Sequence, residues 1–535
     1  MINKINNIIL RKKGFRLFLL LVCSAVLTSC GDFLEEYSQD TAYVHGWSDL
    51  DELLLGSGYK QTGTPYSIGA SSEVLSYPFY YPYIHLMGDE VDANINSAEG
   101  RTASYNSPEK YFGWYTWQQQ VGLDPTGTTQ RAEDTDWKQL YKNIGVCNMV
   151  INEIDDQDAS TSNDELQKKR VKGEAYFLRG SYYFILANLY GKPYNPSTAA
   201  SDLAVPIKLT EEIEDKVFNR NTVAEVYNQA ESDLKEAESC LDGTTRKSYY
   251  HANKTAAELM LSRLYLYKQD YKNAADYAKK VIDAGDNHLQ DLNALSDNCF
   301  LNPKSPEIIF TMGTGGVREW VSGWNEDFGV TSFLASLYQD ENDLRSQYFV
   351  KYNKDYNYWE YVKGGSLDQL NTMGRTAPSH VFLLRTAEAY LNLAEAAAST
   401  GDNNTALTAL NTLRRNRLAS SAYSDLSLSG DTLITYIRNE RERELSLEGH
   451  RWFDLRRYSV SDVLPQTKTI RHSYTTYEWS WWTSSNSPVQ TKYYEMNTGS
   501  EANTLPIPQE VIDQAGGAMQ NNPRPARPAI ETVNY

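Results

Sequence analysis

The chain has 535 residues, with 69 acidic against 51 basic side chains and a formal net charge of −18 at pH 7. That field disfavours nucleic acid, anionic membrane surfaces and strongly acidic polysaccharides as partners. A chain this long buries a large core without covalent staples, and its five cysteines form no disulfide framework.

The N-terminal stretch 1–29 carries Lys4, Arg11, Lys12, Lys13 and Arg16 and no acid, and contains the apolar run 17–27. That run is too short to cross a bilayer as a helix, so it reads as an export signal. Leu27, Thr28, Ser29 and Cys30 resemble a bacterial lipoprotein processing site, which makes Cys30 the lipidated first residue of the mature chain. Residues 30–45 are then a lipidated linker whose Asp32, Glu35 and Glu36 also suit a solvated tether. Losing the five basic residues of the signal takes the formal charge to −23. Cys147, Cys240 and Cys299 are the thiols that remain.

Beyond residue 45, helical periodicity dominates. Ala175, Leu178, Tyr182, Ile185, Leu186 and Leu189 form one stripe, ended by Gly191 and Pro193. Two later segments resemble each other: Leu259, Ser262 and Ala274 in the first match Leu391, Ala394 and Ala406 in the second. Small residues at this spacing resemble tetratricopeptide helix pairs, which approach closely. With segments 137–191 and 222–241, about four such pairs are expected. Near the C-terminus, Ile434, Ile437, Arg441, Glu444 and Glu448 follow at intervals of three and four, so charges continue an apolar stripe. Buried charges must be paired. The expected network sets Arg441 among Glu440, Glu444 and Glu448, with Gly449 ending the helix before Trp452 and Phe453 enter the core.

The block RNERERELSLEGHRWFDLRR (438–457), followed by LPIP (505–508), resembles the C-terminal signature of the SusD/RagB family. So do WKQLYKNIGVCNMVINEI (137–154), GEAYFLRGSYYFILANLYG (173–191), EIIF (307–310), DENDLR (340–345) and LLRTAEAYLNLAEA (383–396), in order. The ending departs from the family pattern in a Pro/Arg-rich PRPARP. The resemblance implies a mainly α, SusD-like fold with irregular loops and a few short strands. It divides the mature chain into an N-terminal region, 46–240, and a C-terminal region, 241–535, packed as one domain. It also implies a lipid-anchored, outer-membrane protein facing the cell surface, which binds a glycan and works with a SusC-like, TonB-dependent β-barrel transporter. Peptide capture is a second option within the same family, and an exported glycoside hydrolase or lyase a third.

The segments 59–130, 313–373 and 458–504 are long, irregular and rich in Tyr and Trp, so they read as ordered loops with some short strands. Aromatic platforms flanked by polar groups suit the C–H faces and hydroxyls of sugars; the alternative is that these rings pack the loops down. Trp320 and Trp324 are four residues apart beside Gly323, with Arg318, Asn325 and Asp327 as hydrogen-bonding neighbours. In the family, the loop after the EIIF-like strand and the segment after Asp89 and Glu90 contribute to the ligand site, which adds Trp114 and Trp117. Tyr81 lies in the aromatic run 76–85. No HExxH, P-loop, GxSxG or strand-linked GxGxxG is present. Asp89 and Glu90 are read as solvated neighbours, and Asp340, Glu341 and Asp343 as a surface turn capped by Arg345. No metal, cofactor or catalytic residue is expected.

Overall fold

The computed structural model describes residues 44–60, 83–93, 109, 111–130, 134–212, 214, 216–296, 299–313, 328–355, 358–365, 373, 378–380, 382–483 and 485–535. The expected export signal, Cys30 and most of the expected linker lie outside these residues. The scaffold is helical: α1 (Asp136–Glu153), α2 (Ser162–Tyr190), α3 (Val223–Leu241), α4 (Lys254–Lys268), α5 (Tyr271–Ala284), α6 (Thr386–Ser399), α7 (Asn403–Arg415), α8 (Gly430–Leu445) and α9 (Arg451–Ser459). Each helix from α1 to α7 lies against the next, and α8 closes the array against α6 and α7. None of the described helices is long and apolar enough to cross a membrane.

Local chemistry explains these helices. Thr161 and Thr222 open α2 and α3 with capping boxes, completed by Asp164 and Glu225. The stripe from Ala175 to Leu189 is buried apart from the half-buried Ile185, and Gly191 caps α2 as expected. Gly173 and Gly180, two turns apart on α2, let α3 come close: a Cβ at Gly173 would stand 2.7 Å from Leu241 Cγ, and one at Gly180 3.0 Å from Ala230 O. The two similar segments form the pairs α4–α5 and α6–α7. Ser262, Ala274, Ala394 and Ala406 are fully buried between them, and the Ser262 hydroxyl donates to Ala274 O at 2.9 Å. α3 serves both α2 and α4, so the helices make a continuous array and not a row of separate pairs.

Among the described residues, four small sheets decorate this array. β1 (Val91–Ala93) pairs with β3 (Phe328–Val330), β2 (Ile308–Met312) with β6 (Phe382–Arg385), and β4 (Val350–Asn353) with β5 (Tyr358–Tyr361). The fourth corrects the expectation of short strands in 458–504. β7 (Thr469–Ser480) and β8 (Ser485–Asn497) form a long hairpin, joined by β9 (Glu531–Asn534) from the divergent tail. At the start of β7, exposed Thr469 and Arg471 alternate with buried Ile470 and His472, a pattern that suits a strand half-exposed to solvent. Near its base, Gly113 packs so tightly that an added Cβ would lie 2.2 Å from Val121 O. Gly113→Ala is therefore expected to cost about 1–3 kcal/mol by overpacking, readable as a lower denaturation midpoint.

The charged stripe is buried, but its pairing differs from the expected one. α8 ends at Leu445, because Leu447 (φ 58°) and Gly449 (φ 80°) reverse the chain, so Glu448 sits beyond the helix. Arg441 pairs with Asp454 at 2.9 Å and donates to Asn392 at 2.7 Å, away from Glu440, Glu444 and Glu448. Glu444 is the hub: Arg345 (2.9 Å), Arg385 (2.7 Å) and Arg417 (2.9 Å) converge on it. Glu307 joins Arg385 at 2.9 Å and Arg417 at 2.6 Å, and Glu448 joins Arg385 at 2.8 Å and Lys363 at 2.6 Å. Glu440 holds Arg345 at 2.8 Å, and Arg443. Asp340 and Glu341 lie exposed on a surface turn as expected, but Asp343, 3% exposed, pairs with the buried Arg345 at 2.7 Å, so the end of that turn is rooted in the core. Positions twenty or a hundred residues apart thus meet in one buried, charge-balanced knot. Trp452 and Phe453 are buried as expected.

Candidate ligand-binding site

Two of the aromatic segments, 59–130 and 313–373, are rooted on one apolar cluster. Val91 of β1, Phe328 of β3, Ile308 of β2 and Leu383 of β6 pack together with Leu86, Tyr115 and Tyr361. In the β1–β3 ladder, Ala93 is the register partner of Phe328. The chain that leaves β1 and the chain that arrives at β3 therefore share one point. At the other end of the second segment, Gly313 (φ 81°) donates its N–H to Lys60 O at 3.2 Å, where the first segment departs. Thr311 and Ser379 exchange hydrogen bonds of 3.0 and 3.2 Å, which brings the return from 366–377 to the same strand.

Asp89 and Glu90 build the floor. Both are buried, 6% and 1% exposed, which corrects the reading of them as solvated neighbours. Asp89 accepts two bonds of 2.7 Å from Arg451 and a third from Lys468. Burial opposes its charge, yet Arg451 and Lys468 hold its carboxyl at about 2. Glu90 has no such partner and accepts the Leu447 N–H at 2.9 Å. Burial, with Asp89 and Glu442 adding repulsion, pushes it up to about 8. Glu442 is likewise pushed up by burial, to about 8. Carboxyls raised in the folded state bind protons that the unfolded chain releases. Their contribution is complete below the unfolded value of about 4.5 and is lost as pH rises through about 8. Glu90→Gln keeps an oxygen for Leu447 and is expected to flatten that decline, measured as denaturation midpoints across this pH range.

Trp114 and Trp117 are 1% and 0% exposed, so neither presents a ring to a ligand. Trp114 stacks on Tyr83 at 5.2 Å. Trp117 donates its indole N–H to Met87 O at 3.0 Å and, with Tyr115, sandwiches His472 at 4.4 and 4.3 Å. The Tyr115 hydroxyl accepts from Ala93 N at 2.9 Å and bonds Asp92. These rings are pillars beneath β1, a role that sequence spacing does not separate from that of an exposed platform. Tyr81, Arg318, Trp320, Trp324, Asn325 and Asp327 lie outside the described residues.

Sequence reasoning did not single out the pair Tyr352 and Trp359, register partners on β4 and β5 with rings 5.3 Å apart. Tyr352 is 39% exposed and Trp359 half-buried, beside β3. Both lie in the aromatic-rich segment 313–373, whose composition marked the region but not the pair. Chemically, the described floor offers half-buried aromatic surface and fixed ion pairs. Asp89 is locked in ion pairs and burial pushes Glu90 up, and among the described residues no cluster of His, Cys, Asp or Glu could hold a metal.

Two family models match the chain: one described as starch-binding and associating with the outer membrane, over residues 80–266, and one described as the SusD family, over 331–524. Together they take in well over half of it. SusD-like protein P2 of Formosa agariphila is 24% identical over 61% of this chain and 72% of its own length. The starch-binding protein SusD of Bacteroides thetaiotaomicron is 25% identical over 39% of this chain and 36% of its own. Among solved structures, a SusD superfamily protein from Bacteroides thetaiotaomicron superposes with a TM-score of 0.67 at 23% identity, covering 90% of this chain and all (100%) of that one. A SusD-like carbohydrate-binding protein from Bacteroides vulgatus gives a TM-score of 0.59 at 18% identity, covering 91% and 94%.

Proposed function

The chain belongs to the SusD family, and we propose that it captures an oligosaccharide without cleaving it and hands it to a SusC-like, TonB-dependent β-barrel in the outer membrane. The observation that carries this reading is the common rooting of the aromatic segments: Ala93 beside Phe328, and Gly313 beside Lys60. The segments that begin or end at these roots carry Trp320, Trp324, Arg318, Asn325, Asp327 and Tyr81, which are the candidates for stacking and hydrogen bonding to a sugar. The names of relatives and the family description support carbohydrate as the ligand class. Lipidation at Cys30 supplies the anchor, with the protein facing the cell surface.

Trp320→Ala combined with Trp324→Ala is expected to weaken glycan affinity at least about a hundredfold if each ring contributes a stacking contact in a desolvated site. Isothermal titration of wild type and variant checks this, and equal affinities remove both rings from the site. Retained binding of peptides but of no glycan would move the reading to peptide capture. Cys30→Ser is expected to shift the protein from the membrane fraction to the soluble one.

A further inference from the structure

The β7–β8 hairpin ends in a turn whose two indoles face solvent: Trp481 is 86% exposed and Trp482 98%. Soluble proteins rarely leave large apolar side chains so open, and rings left open mark interaction sites when they cluster. Here the two are adjacent in sequence at one turn. Tyr535, 65% exposed, lies farther back along the same sheet. Its N–H donates to Val489 O at 3.0 Å, and its hydroxyl meets that of Thr491 at 3.1 Å.

The hairpin's base is fixed and its tip is remote. Phe112 packs edge-on against Tyr474 at 4.9 Å, and the Ser473 carbonyl lies 3.0 Å from the Tyr115 hydroxyl beneath β1. Eight residues separate Ser473 from Trp481, so along an extended strand the turn stands about 25 Å from that anchor. The tip's chemistry narrows its occupant. No charged residue occurs between Glu478 and Lys492, and the intervening side chains apart from Trp, Pro and Val are Ser, Thr, Asn and Gln. A membrane-seeking turn on a chain of net charge −18 would call for basic flanks, which this turn lacks. A sequence of neutral hydroxyl and amide residues flanking two exposed indoles matches an uncharged sugar, whose C–H face stacks while its hydroxyls find donors and acceptors.

Resting on the glycan-capture reading, we propose that the Trp481–Trp482 turn is a second platform for an uncharged polysaccharide, engaging a stretch of the same polymer that the loop site holds. The gain is one of effective concentration: a long chain held at two points is retained far better than at either alone. An oligosaccharide too short to span the distance gains nothing.

The test uses the soluble mature chain and its Trp481→Ala, Trp482→Ala double variant. Both are titrated with soluble starch, arabinoxylan and galactomannan, and with a trisaccharide from each. For a polymer that wild type binds, the variant is expected to lose at least about tenfold in affinity while its trisaccharide affinity and thermal midpoint stay unchanged. Equal polymer affinities overturn this inference and leave the glycan-capture reading standing. So does binding of wild type, but not of the variant, to phosphatidylcholine vesicles with polymer affinity unaltered, which would make the turn a lipid-seeking element. Wild-type silence on all six carbohydrates overturns both readings.

Discussion

Glu444→Ala is expected to destabilise the folded chain by about 3–5 kcal/mol, because it strands buried guanidiniums that share one carboxylate. Arg345, Arg385 and Arg417 reach Glu444 within 2.9 Å, and all four residues are at most 1% exposed. The loss stays below three times that of one pair because Glu307, Glu440, Glu448 and Asp343 remain beside the same cations. Glu444→Gln is expected to do nearly as badly, since its amide turns donors toward donors. Urea denaturation reads both.

The same knot sets the acid limit. Burial opposes ionisation of Glu444, yet Arg417, Arg385 and Arg345 hold it well below the usual carboxylate range. Glu440 and Glu448 are lowered in the same way by their own cations, against the same burial. Depressed carboxyls contribute stability above the unfolded value near 4.5 and lose it as pH falls through their folded values. Wild type is therefore expected to unfold on acidification, with Glu444→Ala less responsive to pH below 4.5.

Trp117→Ala is the second large effect, about 3–5 kcal/mol from an emptied aromatic core site. The indole stacks on His472, donates to Met87 O and supports the turn that carries β1. Burial lowers His472 from its usual value, and the Tyr115 and Gly88 carbonyls at its two ring nitrogens oppose that shift and hold the ring in place. Denaturation midpoints should fall sharply, while glycan affinity measured well below the midpoint changes only as far as β1 shifts. An affinity loss with an unchanged midpoint would return Trp117 to the ligand site.

The contrast between the Trp residues shows what was legible from residues alone. Helix periodicity placed the buried stripe on α2 and the small residues between α4–α5 and α6–α7, because burial follows a fixed geometric period. The charged stripe declared that Arg441, Glu444 and Glu448 are buried, but not which partner each takes. Arg385, Arg417 and Lys363 reach the hub through tertiary packing that no local period encodes. Aromatic clustering marked the right segments but not the facing of each ring: Trp114 points inward, and Trp482 outward at a turn whose long hairpin the sequence reading did not expect. Asp89 and Glu90 looked alike in sequence, yet Arg451 beside one and Leu447 N–H beside the other separate them to about 2 and about 8.

The most direct test of the account is calorimetric titration of the soluble chain starting after Cys30 against plant, fungal and host glycans, with product analysis of each mixture. The account predicts saturable binding to at least one neutral glycan, with the carbohydrate recovered intact. Cleaved product, or silence across every glycan in the presence of a folded protein, would contradict it.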